Sequence, residues 1–261
     1  MRNLHAMQTI MKDPSGAVIG LDFDGTLSPI VSDPAKAAIH PAAPPVLAEL
    51  ARRVRAVAIV TGRPVETVLG LGPALADVPG LVILGHYGFE RWEGGTVSAP
   101  PPPAGVPRAQ AELPLLLDRL GMERVGVEDK GRAVAVHTRN APDPQGAFDT
   151  LRGPLADLAE RAGLVVEPGR FVIELRPPGM DKGHALSLFL AERAARSVLF
   201  AGDDLGDLAA FAAVRSSGLP GVTVCSGSAE VTELAESADV VVDGPDGVVE
   251  LLRELLAGMD G

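Results

Sequence analysis

The sequence predicts an α/β protein, a parallel sheet flanked by helices and interrupted by an inserted α+β unit. Three observations carry this. Six short apolar runs, at 17–21, 57–60, 81–84, 198–201, 222–224 and 240–242, recur with helical stretches between them, the alternation of a parallel sheet with crossover helices. Hydrophobic residues are 46% of the chain but aromatic ones only 3%, so the interior is built from Ala, Val, Leu and Ile, which suits a sheet buried on both faces. Between the third and fourth runs the pattern changes into that of a different module.

The change begins at the proline-rich stretch 99–107, Ala-Pro-Pro-Pro-Pro-Ala-Gly-Val-Pro, which is stiff, cannot pair as a central strand and reads as a linker. After it the pattern predicts a helix over 108–120, strands near 124–128 and 133–138, a helix over 145–162, and strands at 164–167 and 171–176. Asp129-Lys130-Gly131 and Pro168-Gly169 supply the turns of two hairpins. Pro177-Pro178-Gly179 returns the chain to the first module. The expected organisation is a core of 1–107 with 179–261 and an inserted unit of 108–178. No period of 20 to 50 residues marks a solenoid.

Charge and cysteine content narrow the function classes. With 23 basic and 34 acidic side chains the net charge is −11, which repels nucleic acid and anionic lipid at long range and leaves room for a local site that takes one small anion. A single cysteine, Cys225, cannot close an internal disulfide or build a cysteine zinc site. No run approaches the ~20 apolar residues of a membrane span, and the first residues lack a signal peptide's apolar stretch, so a cytoplasmic protein is the expectation. Oligomeric state is not legible.

Four segments carry chemistry. The first apolar run ends in Asp22-Phe23-Asp24-Gly25-Thr26, placing two carboxylates at the carboxyl end of a strand, where open α/β sheets bind ligands. Such a pair can hold a hard cation through oxygen, and one member can attack phosphorus. Gly25 permits close backbone approach, and Thr26 offers a hydroxyl and an N–H to phosphate oxygens. The second run ends in Thr61-Gly62-Arg63-Pro64, read either as an anion cradle at a helix start with Pro64 near its first position or as a threonine N-cap. Lys182 opens a helix, a poor place for a cation unless an anion compensates it. Asp203, Asp204 and Asp207 follow the fourth run, and with Asp22 and Asp24 they need a cation to coexist ionised at neutral pH.

In this order the four segments resemble the haloacid dehalogenase-like phosphatase superfamily. The resemblance implies a Rossmann-like doubly wound parallel sheet core with an inserted α+β cap. It implies Asp22 as phosphorylated nucleophile, Asp24 as general acid/base, Thr61 and Lys182 as phosphate-stabilising residues, and Asp203, Asp204 and Asp207 joining the first two around Mg²⁺. Gly25, Thr26, Gly62 and Arg63 would line the phosphate.

Within the inserted unit, Glu128-Asp129-Lys130-Gly131, His137-Thr138-Arg139 and Glu174-Leu175-Arg176-Pro177 are similar to the cap of trehalose-6-phosphate phosphatases, as are Ser28 to Pro34 and Gly85 to Glu90. That likeness implies Glu128, Lys130 and Glu174 as readers of sugar hydroxyls and Arg139 as an aid to the phosphate, the substrate being a small sugar phosphate. Two departures stand out: Gly206-Asp207-Leu208 where many members end the fourth motif Thr-Asp-Glu, and Gly85-His86-Tyr87-Gly88 where many have Gly-x-His-Gly. The competing readings are a phosphatase for another sugar phosphate, of the sucrose phosphate or mannosyl-glycerate phosphate kind, a phosphomutase, and a non-catalytic sensor.

Overall fold

A strand buried on both faces favours apolar residues at every position, and the strands at 17–21, 56–60 and 81–85 have them. In the computed structural model, which describes residues 2–101, 104–122, 124–169, 171–179, 181–227 and 232–260, all five residues of the first strand are buried. Pro102 and Pro103 of the proline-rich stretch and Met180 lie outside the described residues. The chain divides into two compact units, residues 1–99 with 181–261 and residues 100–180.

In chain order the elements are α1 (Arg2–Lys12), β1 (Ala17–Leu21), α2 (Ala43–Ala51), β2 (Ala56–Val60), α3 (Val65–Leu71), β3 (Leu81–Gly85), β4 (Glu90–Glu93) and β5 (Thr96–Ser98). The second unit contributes α4 (Gly105–Arg119), β6 (Gly126–Asp129), β7 (Val134–His137), α5 (Pro144–Ala162), β8 (Val165–Gly169) and β9 (Val172–Arg176). The first unit resumes with α6 (Lys182–Glu192), β10 (Ser197–Gly202), α7 (Leu208–Ser216), β11 (Gly221–Gly227), α8 (Thr232–Ser237), β12 (Val240–Asp243) and α9 (Gly244–Gly258).

The first unit's eight strands run in the order β12-β11-β10-β1-β2-β3-β4-β5, parallel from β12 to β3 and antiparallel across β3–β4–β5. Strand side chains alternate between two cores. Ile19, Ile59 and Leu199 pack with Ile10 of α1, Leu47 of α2, Val68 of α3 and Leu252 of α9. Val18, Val60 and Phe200 pack with Leu186 of α6, Phe211 of α7 and Leu234 of α8. The sheet is therefore doubly wound, as expected. Successive strands leave β1 on one side through β2 and β3 and on the other through β10, β11 and β12, so the topological switch lies between β1 and β10. No helix among the described residues is long and apolar enough to cross a membrane.

The second unit is a four-stranded antiparallel sheet, order β6-β7-β9-β8, covered on one face by α4 and α5. Val134, Val136, Ile173 and Leu175 meet Leu113, Leu117, Leu151 and Leu155 there. Its elements follow the αββαββ order read from the sequence. Its first helix starts at Gly105, inside the stretch read as a linker, so that stretch is shorter than expected.

The hairpin β4–β5 and helix α1 were not anticipated. The hairpin's turn is Gly94-Gly95, both with positive φ (57° and 81°), the geometry two-residue hairpin loops favour. Trp92 is the buried residue of β4, so the hairpin is anchored by one aromatic ring rather than by an apolar run that would have announced it.

Candidate active site

The site is assembled where β1 and β10 end side by side. The Asp22 amide donates to the Ala201 carbonyl at 2.8 Å, extending the parallel ladder by one residue and bringing Asp22 beside the Asp203 segment. Gly25 turns the chain there with φ +66°, and a Cβ on it would stand 1.9 Å from an Asp203 carboxylate oxygen. Only glycine fits so close an approach. Ser226, at the end of β11, donates its hydroxyl to the Gly25 carbonyl at 2.6 Å. Nothing in its sequence context singled it out, because the contact joins residues 201 positions apart.

Asp22, Asp203 and Asp207 are buried and present carboxylate oxygens within 4.8 Å of one another. Lys182, also buried at the first position of α6, reaches Asp207 at 2.8 Å, Asp22 at 3.0 Å and Asp204 at 3.7 Å. These anions are what makes a lysine tolerable at a helix N-terminus. Burial opposes the lysine's charge, but Asp207, Asp22 and Asp204 outweigh it and raise its pKa well above the usual lysine value. Burial likewise pushes Asp22 well above the ordinary carboxylate range, reinforced by Asp207, Asp204 and Asp203 and opposed by Lys182. Asp203 is raised to about 7 by burial and by Asp204 and Asp207, and Asp207 is raised by burial against the pull of Lys182.

Five converging carboxylates were expected, and three converge. Both oxygens of Asp207 are also engaged by the framework, one accepting from Lys182 at 2.8 Å and the other from the Asp203 and Asp204 amides at 3.0 and 3.2 Å. The Asp204 side chain is 59% exposed, because it stands ahead of the short 3-10 turn 205–207 that swings Asp207 inward. Asp24 is carried past the strand end into a turn and bridges to Ser28. Its carboxylate meets Arg63, whose Nε and Nη2 donate to its two oxygens at 2.6 Å each. The Asp24 side chain therefore lies outside the carboxylate cluster.

Arg63, expected to line the phosphate, is thus committed to Asp24. Thr26 is fully buried, and its hydroxyl has no partner among the described residues. Thr61 is buried too, and its hydroxyl accepts the Arg63 amide at 3.2 Å. It is not an N-cap. Pro64 occupies the N-cap of α3 with extended ψ rather than the first helical position, and the Val65 amide is taken by the Glu90 carboxylate at 2.9 Å.

The turn after β3 holds this loop from behind. His86, Tyr87 and Gly88 have φ of 47°, 57° and 90°, strained values for the first two, which persist only where neighbours enforce them. The His86 amide donates to the Arg63 carbonyl at 3.0 Å and the Tyr87 amide to the Thr61 carbonyl at 2.9 Å.

In the second unit the register aligns Glu128 with Ala135, Ala135 with Glu174 and Glu174 with Glu167 across the sheet, all on the face opposite α4 and α5. Lys130 pairs with Glu174 at 2.5 Å and His137 with Glu128 at 2.8 Å. Arg176 pairs with Glu167 at 2.7 Å. Arg139 is exposed on the turn after β7. His137, Glu167 and Arg176 were not named as site residues. Glu167 lies across from Glu174 in the register, and His137 and Arg176 share the face of Ala135 and Glu174 by strand alternation.

Carboxylate oxygens are hard donors. Three of them, buried within 4.8 Å of one another and with a single ammonium among them, fit a hard divalent cation such as Mg²⁺ and offer nothing that favours a thiophilic metal. A doubly wound sheet with this cluster at its switch point and a lysine against it is the haloacid dehalogenase-like fold. The profile described as trehalose-phosphatase matches residues 20–246. The chain is 33% identical to a probable trehalose-phosphate phosphatase of Sinorhizobium fredii over 81% of its own length and 79% of that protein's. It is 35% identical to the trehalose-phosphate phosphatase of Mycobacterium avium over 90% of its length, spanning 60% of that relative. Its fold matches the structure of Aspergillus fumigatus trehalose-6-phosphate phosphatase with a TM-score of 0.74 at 23% identity, covering 98% and 96% of the two chains. The protein belongs to the trehalose-phosphatase family.

Proposed function

We propose that this protein hydrolyses trehalose 6-phosphate to trehalose and inorganic phosphate, with Mg²⁺, through phosphorylated Asp22. The observation that carries the reading is the buried Asp22 at the switch point, held 3.0 Å from Lys182. Family membership supplies the substrate.

In the first step an Asp22 oxygen bonds to phosphorus as the ester P–O bond breaks, and the departing sugar oxygen takes a proton from Asp24. Water then attacks phosphorus and gives its proton to Asp24, and the bond to Asp22 breaks to release phosphate. Lys182 opposes the burial that raises the Asp22 pKa, favouring its ionised form, and offsets charge on the transferring group. The Thr61 hydroxyl, which accepts from Arg63, retains its own proton to donate to a phosphoryl oxygen, and the Gly62 backbone permits close approach. Asp22, Asp203 and Asp207 would hold Mg²⁺, which would supply positive charge to offset that of the transferring phosphoryl group. The second unit acts as the cap. Glu128, Lys130 and Glu174 read sugar hydroxyls, for which paired donors and acceptors are suited, and Arg139 assists at the phosphate.

Phosphate release from trehalose 6-phosphate, with EDTA and with added Mg²⁺, tests the reading, beside a panel of other sugar phosphates. Activity is expected with Mg²⁺ only. Asp22→Asn should abolish turnover while keeping the wild-type thermal midpoint. A fully active Asp22→Asn protein, or a preference for another sugar phosphate, overturns the assignment.

A further inference from the structure

The Asp24 carboxylate stands on a turn beyond the end of β1, its side chain 41% exposed. A carboxylate so placed ordinarily rotates among several rotamers, which is unsuited to passing a proton to one defined oxygen. Here it is held. Arg63 Nε and Nη2 each donate at 2.6 Å, one to each oxygen, and a planar guanidinium engaged at both oxygens fixes the plane of the carboxylate as well as its position. Each carboxylate oxygen has a second lone pair, so this grip leaves room for a proton.

Arg63 is itself immobilised. Its guanidinium lies 5.9 Å from the centre of the Phe23 ring. Its amide donates to the Thr61 hydroxyl, and its carbonyl accepts from the His86 amide. The strained turn is wedged in place on two sides. A methyl on Gly62 would stand 2.6 Å from the Tyr87 hydroxyl oxygen, and one on Gly88 would stand 2.8 Å from Cβ of Ala185 in α6. The turn thus braces the loop that carries Arg63 against the helix that carries Lys182.

We propose that Arg63 is the positioning residue of Asp24, set in place by the His86–Tyr87 turn. The inference rests on the reading of Asp24 as proton donor and acceptor. It replaces the expected role of Arg63 at the phosphate. It also accounts for Tyr87, which stands at a departure from the usual family pattern, because the ring covers Gly62 and keeps the Arg63 loop from shifting.

Leaving-group dependence tests it. A sugar alkoxide needs a proton as it departs, whereas 4-nitrophenolate does not, and kcat/KM reports that first transfer. Arg63→Met should lower kcat/KM on trehalose 6-phosphate about 100-fold and on 4-nitrophenyl phosphate less than about tenfold, within the range general acid catalysis supplies. Arg63→Lys should restore little of this, since an ammonium lacks the two-point grip. Tyr87→Ala should show the same substrate bias with a smaller loss. Equal losses on both substrates, full rescue by lysine, or a faster enzyme would overturn the proposal. Crystal structures of the wild type and Arg63→Met decide it independently of turnover: Asp24 should occupy one rotamer in the first and several in the second, and an unchanged Asp24 refutes the positioning role. Failure of the functional reading is a separate result, seen as a wild-type protein inactive on trehalose 6-phosphate.

Discussion

Asp22, Asp203, Asp207 and Lys182 form a buried charge cluster whose protonation is coupled to folding. Asp203, raised from 3.8 to about 7, binds its proton more tightly in the folded than in the unfolded chain. Between those values the folded state holds more protons, so its contribution to stability falls as pH rises through that window. The metal-free protein should lose stability over that pH range in urea titrations, and Mg²⁺ should flatten the curve by taking the proton's place. A curve with the same slope with and without Mg²⁺ would argue against Asp203 as a ligand. Lys182 is the cluster's cation, and Lys182→Met leaves Asp22 and Asp207 buried without it. Breaking a buried pair from one side costs about 3–5 kcal/mol, so denaturant unfolding should show a loss of that order together with loss of turnover.

At the scale of elements, the six parallel strands were legible because each carries an apolar run, which burial on both faces demands of β1, β2 and β3. The hairpin β4–β5 was not, because it sits at the sheet's edge, where β5 is exposed along its length and needs no apolar signature. The start of α3 lies within one residue of the expected position at Pro64, but its cap is hidden for a related reason. Its first amide is satisfied by Glu90, from another strand, and no local pattern announces a cap supplied from 25 residues away. In the second unit the strand register places Glu128 and Glu174 on one face with Lys130 paired to the latter. Replacing any one of these three by Ala should cost about 1–3 kcal/mol of transition-state binding for trehalose 6-phosphate. A small aryl phosphate, with no second sugar, should escape most of that loss. Kinetics on both substrates check this, and equal losses would assign the three residues to folding instead.

At the scale of the whole molecule, residues 100–180 have a sheet, two helices and an apolar core of their own. Expressed alone, this segment of 81 residues should fold cooperatively, as the size of its core allows, and give a dispersed amide NMR spectrum. A collapsed or unfolded product would show that it depends on the rest of the chain. The proposed metal site lies in the other unit. At 100 times its Kd, Mg²⁺ should stabilise the full-length protein by about 2.7 kcal/mol through mass action, raising the thermal midpoint, and Asp203→Asn should abolish that gain.

By itself the sequence determined the class of fold, the identity of the carboxylates and lysine, and the interruption of one module by another. Each of these is written in local pattern: apolar runs of strand length, acids at their ends, turn residues between hairpins. The tertiary structure alone decided how those residues divide the chemistry among them. It grouped Asp22, Asp203 and Asp207 and sent Asp24 to Arg63, buried the Thr26 hydroxyl, and enlisted Ser226, Glu90 and Tyr87. Such assignments depend on which strand ends lie side by side along the carboxyl edge of the parallel strands. Residues far apart in sequence meet there at 2.6 to 3.0 Å, and spacing along the chain carries no record of that encounter.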